Sequence, residues 1–224
     1  MNKPEPLEYD RYYHIYNRGI NGCELFMEYT NYEHFMQLYG KYIPCIADTY
    51  AWCLMGNHFH FLVRIKDEEE IGFIPLKKES LPGHEASGRI VEKEINNPDG
   101  GFKQKKYNPS NQFSHLFNSY TQAFNKKYYR TGSLLEKPFS RKQIINEKYL
   151  KYLVYYIHHN PVHHGFVDDM AEYPWSSYLT ILSPKKTRLK RKEVIEWFDD
   201  IDNYKYFHNQ QHKLDQLKDL LIDG

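Results

Sequence analysis

The chain has 224 residues and a mass of 27.1 kDa, with 30 Lys+Arg against 29 Asp+Glu and a formal net charge of +1. That length suits one compact domain with an appendage and is enough to bury a core, and a charged fraction of 26% excludes a chain disordered by composition. A mean hydropathy of −0.78 and the lack of any run of about 18 apolar residues exclude a membrane-spanning helix. The opening residues, Met1 to Glu8, are polar and acidic and carry no apolar signal region. Cys23, Cys45 and Cys53 are odd in number and widely spaced, with no Cys-x-x-Cys pair. Reduced thiols in the cytoplasm are therefore expected, not a disulfide framework or a zinc knuckle.

The elements follow in chain order. Residues 9–18 alternate polar and apolar side chains (Tyr13, Ile15, Asn17) and read as a strand, with Gly19 and Gly22 in the turn after it. Thr30-Asn31-Tyr32-Glu33 has the capping-box pattern, and Phe35, Leu38, Tyr39, Tyr42 and Ile43 recur at helical spacing, which predicts a helix over 31–43. Residues 48–55 and 58–65 are rich in β-formers and flank Gly56-Asn57, so they form a hairpin. From Lys66 to Pro109 prolines and glycines accumulate without periodicity, as in a long, partly flexible insertion. Phe113, Leu116, Phe117, Tyr120 and Phe124 make one stripe of a helix that begins at Ser110 and is broken by Gly132-Ser133. Residues 139–145 read as a strand. Asn146 and Glu147 then cap a helix whose apolar face is Leu150, Leu153, Val154 and Ile157. Asn160-Pro161 should end that helix, because the residue before a proline avoids the helical region. A last helical stretch starts near Lys192. The first six elements have the α+β, ferredoxin-like βαββαβ order, an antiparallel sheet with helices on one face, and the next helix lies outside that unit. One domain is expected over 1–182, followed by a basic run and helical extension over 183–224.

Two groups of residues carry chemistry. His58-Phe59-His60 lies on a strand, where side chains alternate; both imidazoles then face one way, about 7 Å apart, and can converge on one divalent cation. Two polar residues on a half-exposed strand would show the same spacing. Tyr156 and Asn160 are four residues apart and share a helix face. A phenol of reference pKa about 10 needs a metal or base nearby to act as a nucleophile at neutral pH. Tyr149, Tyr152 and Tyr155 lie on the same helix, and spacing does not choose among the four. His158, His159, His163 and His164 flank Asn160-Pro161, so the break should scatter them as surface or packing residues instead of building a second metal site.

The net charge is a cancellation. Residues 101–192 hold 17 Lys+Arg against 5 Asp+Glu, and the remainder 13 against 24. The basic part includes Lys126, Lys127, Arg130, Arg141, Lys142 and the run Lys185 to Lys192. Such a segment is an electrostatic footprint for phosphate, and its interleaved tyrosines can stack on unpaired bases. A charge run is also common as plain solvated surface.

The stretch Leu54-Met55-Gly56-Asn57-His58-Phe59-His60-Phe61-Leu62-Val63 resembles the HUH motif (histidine, bulky hydrophobic, histidine) of single-tyrosine transposases. Phe124-Asn125-Lys126-Lys127-Tyr128, Gly132-Ser133-Leu134, Tyr156-Ile157-His158-His159-Asn160-Pro161-Val162 and Tyr173-Pro174-Trp175-Ser176-Ser177-Tyr178 resemble the same family in the same order, and are most similar to its REP-associated branch. The resemblance implies a metal-dependent single-stranded DNA endonuclease and strand transferase that acts on hairpin-containing DNA through a covalent 5′-phosphotyrosine. It implies that His58 and His60 bind the metal, that Asn160 completes the site with His159 as the alternative donor, and that Tyr156 is the nucleophile. Lys126, Lys127, Arg130, Arg141 and Lys142 would meet the DNA. The cofactor would be Mg²⁺ or Mn²⁺; two imidazoles and an amide oxygen suit Mn²⁺ at least as well as Mg²⁺, and zinc is compatible with the ligand types. A domesticated hairpin-binding protein without strand transfer and a metal-dependent hydrolase that uses water are the alternatives. A monomer and a homodimer are both compatible with the sequence.

Overall fold

The computed structural model describes residues 6–74, 104–146, 148–210 and 212. Strands β1 (Tyr12–Arg18), β2 (Ala47–Met55), β3 (His58–Ile65) and β4 (Ser140–Ile144) form one antiparallel sheet in the order β2-β3-β1-β4. Helix α1 (Tyr29–Tyr42) connects β1 to β2, and α2 (Pro109–Lys127) lies between β3 and β4. This is the ferredoxin-like arrangement expected from the element order.

The pleat of β3 divides the molecule. Phe59, Phe61 and Val63 point to one face and pack with Tyr13 and Ile15 of β1 under α1 and α2. Phe35 of α1 lies 5.1 Å from Phe59 and 5.0 Å from Tyr120, and the Tyr39 ring stacks on Phe61 at 4.4 Å, centroid to centroid. Burying each such ring contributes about 1.5–3 kcal/mol, so this aromatic layer fixes the register of the strand that carries the histidines.

Two helix starts follow from their caps. Asn108 caps α2 through its side chain, which accepts from the Asn111 N–H at 3.0 Å, with Pro109 in the first turn. Helix α1 begins two residues before the expected Asn31. Asn31 is itself buried in the first turn, and its side-chain oxygen accepts from the backbone N–H groups of Met27 and Glu28 at 3.0 and 3.2 Å, which moves the cap back to Glu28.

The other face of the sheet is covered by α3 (Lys148–His163), α4 (Tyr178–Leu182), α5 (Arg191–Trp197) and α6 (Ile201–His208). Leu150, Leu153, Val154 and Ile157 of α3 pack against Ala51, Cys53, Met55 and Leu62, and α5 and α6 add Val194 and Tyr204 to the same core. A register shift between Thr49 and Ala51 puts Tyr50 into this layer too. Residues 75–103 of the expected insertion lie outside the described residues. Its flanks meet: Ile74 N–H donates to the Lys105 carbonyl at 2.9 Å and Tyr107 N–H to that of Gly72 at 3.0 Å.

One expectation is overturned. Helix α3 does not stop at Asn160-Pro161 but runs through Pro161 to His163. It ends in a Schellman motif: Phe166 N–H bonds the Pro161 carbonyl at 2.8 Å, Gly165 N–H bonds that of Val162 at 3.0 Å, and Gly165 sits at φ +69°. The proline lies in the last turn, where it removes one helical bond, and the glycine closure and the packing of Val162 hold the turn.

A buried polar network ties this layer to β2. His158 Nε2 lies 2.7 Å from Ser177 Oγ, which accepts from Trp52 N–H at 2.8 Å, and His158 Nδ1 lies 3.1 Å from His208 Nε2 and 3.2 Å from the Tyr204 hydroxyl. Burial pushes the His208 pKa down to about 4, partly opposed by its contact with the Tyr204 carbonyl. The native state thus refuses a proton that the unfolded chain takes up near pH 6.5, and the resulting stability is lost as pH falls from there toward 4. Urea unfolding should show a loss of about 2 kcal/mol from this group between pH 7.5 and 5, and a shallower pH slope in His208→Phe; equal slopes would contradict the assignment.

Candidate metal and nucleic-acid site

The second face of β3 presents His58 and His60, with ring centroids 5.2 Å apart. His60 is 3% exposed. Its Nδ1 lies 2.9 Å from Nε2 of the fully buried His14 on β1, while its Nε2 is buried and has no hydrogen-bond partner among the described residues. Burial first, and then the neighbouring His14, His58 and His164, hold the His60 pKa well below the usual histidine range, so this imidazole is neutral. His58 is half-buried; its Nδ1 lies 2.7 Å from Asn57 Oδ1 and its Nε2 3.5 Å from Asn160 Oδ1.

Helix α3 crosses this face. The Tyr156 ring meets His60 edge-on at 5.4 Å and His14 at 6.1 Å. One turn later Asn160 is 1% exposed and faces His58, and after another turn the His164 ring meets His58 edge-on at 5.1 Å. Tyr156 and Asn160 are thus i, i+4 positions on one face of α3, and His164, the residue just past its end, continues that line with its N–H bonded to the Asn160 carbonyl at 3.0 Å. Two of the other tyrosines that spacing left open point elsewhere: Tyr155 stacks on His159 at 5.0 Å, and Tyr152 packs on Phe207 at 5.3 Å. His159 is therefore not brought to His58 and His60. Of the four histidines expected to scatter, His158 is a buried packing residue and His164 stands at the site.

Sequence reasoning missed His14, Tyr16 and His164. Tyr12, His14 and Tyr16 alternate along β1 onto the histidine face, a period-two signal hidden behind the apolar set Tyr13 and Ile15. His164 was hidden by the supposed break at Pro161. A cavity of about 350 Å³ opens in front of the site, with Tyr16, Arg18, Asn57, His58, His60 and His164 in its wall. Tyr156 and Asn160 are not among the residues lining it. Among the described residues no three His, Cys, Asp or Glu side chains are placed to hold a metal. A cation at the two imidazoles would therefore draw on an amide oxygen, and Asn160 offers one.

The expected DNA-contacting residues divide. Lys142 pairs in register with His14 and shares the histidine face. Arg141 shares the opposite face with Ile15, lies over the Phe139 ring at 3.9 Å and donates to Ser110 Oγ at 3.1 Å. Lys126, Lys127 and Arg130 sit at the end of α2, where Lys127 pairs with Glu28 beside the α1 N-terminus. The run 185–192 lies at the far end of β2: Lys190 N–H donates to the Thr49 carbonyl at 2.9 Å, Arg188 to that of Gly40 at 3.2 Å, and Arg191 to those of Ser183 and Lys185. No described helix is long and apolar enough to cross a membrane.

No family model matches the sequence, and no curated protein does. The chain is similar to a solved structure of a REP-associated tyrosine transposase bound to a REP hairpin, with a TM-score of 0.54 and 13% identity over 82% of this chain and 86% of that one. At that identity the likeness shows a common fold.

Because the Tyr156 ring is 2% exposed and packed on two imidazoles, removing it should leave a cavity. Tyr156→Ala should cost about 3 kcal/mol in urea unfolding and Tyr156→Phe less than about 1 kcal/mol. The phenylalanine variant is therefore the one in which chemistry can be read without loss of fold.

Proposed function

We propose that the protein is a metal-dependent single-stranded DNA endonuclease and strand transferase of the HUH type, acting on hairpin-containing DNA through a covalent 5′-phosphotyrosine at Tyr156. What carries this reading is the meeting of Tyr156 and Asn160, one turn apart on α3, with His60 and His58 on β3. The fold shared with a transposase bound to a DNA hairpin supports it.

The donor set fits a divalent cation. His60 Nε2 is a buried nitrogen with no hydrogen-bond partner among the described residues, which a cation would satisfy, and His58 Nε2 and Asn160 Oδ1 face one another beside it. His58, His60 and Asn160 would hold Mn²⁺ or Mg²⁺; two nitrogen donors favour Mn²⁺. When bound, the ion would polarise the scissile phosphate and offset the charge that develops on it. The chain's own residues do the rest. Tyr156 Oη attacks phosphorus and gives its proton to water, the bond from phosphorus to the 3′ oxygen breaks, and that oxygen takes a proton from water and leaves as a hydroxyl. The 5′ end remains on the tyrosine as a diester, so a second 3′-hydroxyl can reverse the step and join strands without an energy cofactor. The neutral state of His60 keeps its lone pair free for a ligand role. Lys142, on the histidine face, would meet backbone phosphate.

One observation favours a second reading. Tyr156 is buried and does not line the cavity, as would suit a protein that binds hairpins and does not cut. A single assay separates the two. The wild type with Mn²⁺ and hairpin-bearing single-stranded DNA should give a protein–DNA adduct that survives denaturing electrophoresis, abolished by chelator and by Tyr156→Phe. An undiminished adduct in Tyr156→Phe removes Tyr156 as nucleophile; tight binding without any adduct or nick selects the second reading, and nicks without an adduct select a hydrolase that uses water. Lys142→Ala should lower the slope of log affinity against log salt by about 1 in a binding titration.

A further inference from the structure

We propose that His14 is a positioning residue for His60, holding it in the tautomer whose Nε2 lone pair faces the site, a role that rests on the metal reading above. A neutral imidazole carries one proton, on Nδ1 or on Nε2. His60 Nδ1 has a partner at 2.9 Å, His14 Nε2, and His60 Nε2 has none among the described residues. With the proton on Nε2, a buried donor would be left without an acceptor, which is unfavourable. With the proton on Nδ1, it is donated to His14 Nε2, and His60 Nε2 keeps a lone pair directed at the place a cation would take. Metal-binding imidazoles are generally oriented in this way, by a partner on the nitrogen that does not bind.

His14 is built for that task. It is fully buried, it lies diagonally across the β1–β3 ladder from His60 on the same face, and its ring is flanked by Tyr16 at 4.8 Å and Tyr156 at 6.1 Å. A residue present only for packing would be apolar here, because a buried imidazole loses hydration that a hydrocarbon never had. Asn57 gives His58 the same service: Asn57 Oδ1 accepts from His58 Nδ1 at 2.7 Å, which leaves His58 Nε2 toward Asn160. The strand pair and the turn before it thus supply an acceptor for each imidazole.

Long-range ¹H–¹⁵N spectra of the metal-free full chain report which nitrogen of each histidine carries the proton. The wild type should show His60 protonated at Nδ1, and folded His14→Phe should lose that preference. By calorimetric titration with Mn²⁺, His14→Phe should bind about 10–100-fold more weakly than the wild type, and His14→Gln, which keeps an acceptor, should recover most of the affinity. Protonation at Nε2 in the wild type overturns the proposal, and that result needs no variant to fold; so does an unchanged tautomer and affinity in folded His14→Phe. A wild type that shows the expected tautomer and its loss in His14→Phe but takes up no Mn²⁺ overturns the metal reading and leaves the His14–His60 lock standing.

Discussion

A strand buried on both faces can keep polar side chains on one of them only if each finds a partner, and β3 is such a strand. Phe59, Phe61 and Val63 anchor it in the aromatic layer under α1 and α2. The same pleat forces His58, His60 and Leu62 to the other side, and a slip of one residue would exchange the two sets. His14 on the neighbouring strand meets the cost of burying His60 at Nδ1, and the aromatic core on one face decides where the imidazoles stand on the other. The histidine face must in turn be covered, and α3 covers it with the buried side chains of Leu153, Val154, Tyr156, Ile157 and Asn160.

The geometry of α3 depends on a narrow angular tolerance. Successive helical residues are rotated by about 100°, so a shift of one position would replace Tyr156 and Asn160 with Tyr155 and His159. The packing of Tyr155 beside Phe207 of α6, about 100° round the helix from Tyr156, holds that rotation. The His158 bonds to Ser177 and His208 hold it again from within the core. Continuation through Pro161 to the Gly165 closure adds the turn that brings His164 to His58.

Charge is arranged more subtly than its sign in the sequence suggests. The basic segment 101–192 is not one surface. Arg188, Lys190 and Arg191 are engaged with backbone carbonyls and acidic groups near the start of β2, whereas Lys142 stands on the histidine face and Lys126, Lys127 and Arg130 at the end of α2. Lys127 is already paired with Glu28. A phosphate backbone running across the histidine face would therefore meet few of the cations that the sequence count supplies.

The order of the strands and helices from β1 to α3, the hairpin at Gly56-Asn57 and the common side of His58 and His60 were all legible in the sequence, because alternation and helical spacing are local properties that report directly on which face a residue takes. So was the common face of Tyr156 and Asn160. What the sequence left open was which of four tyrosines met the histidines and which of the basic residues shared a surface, and what it read wrongly was the end of the helix at Pro161. Those were decided by tertiary structure. The rotation of α3 is set by packing against β2 and by the His158 network, the fate of Pro161 by a glycine four residues later, and the pairing of His14 with His60 by a β-ladder between residues 46 apart in the chain. Each is a contact between distant segments, and no local pattern encodes the partner a buried group will find.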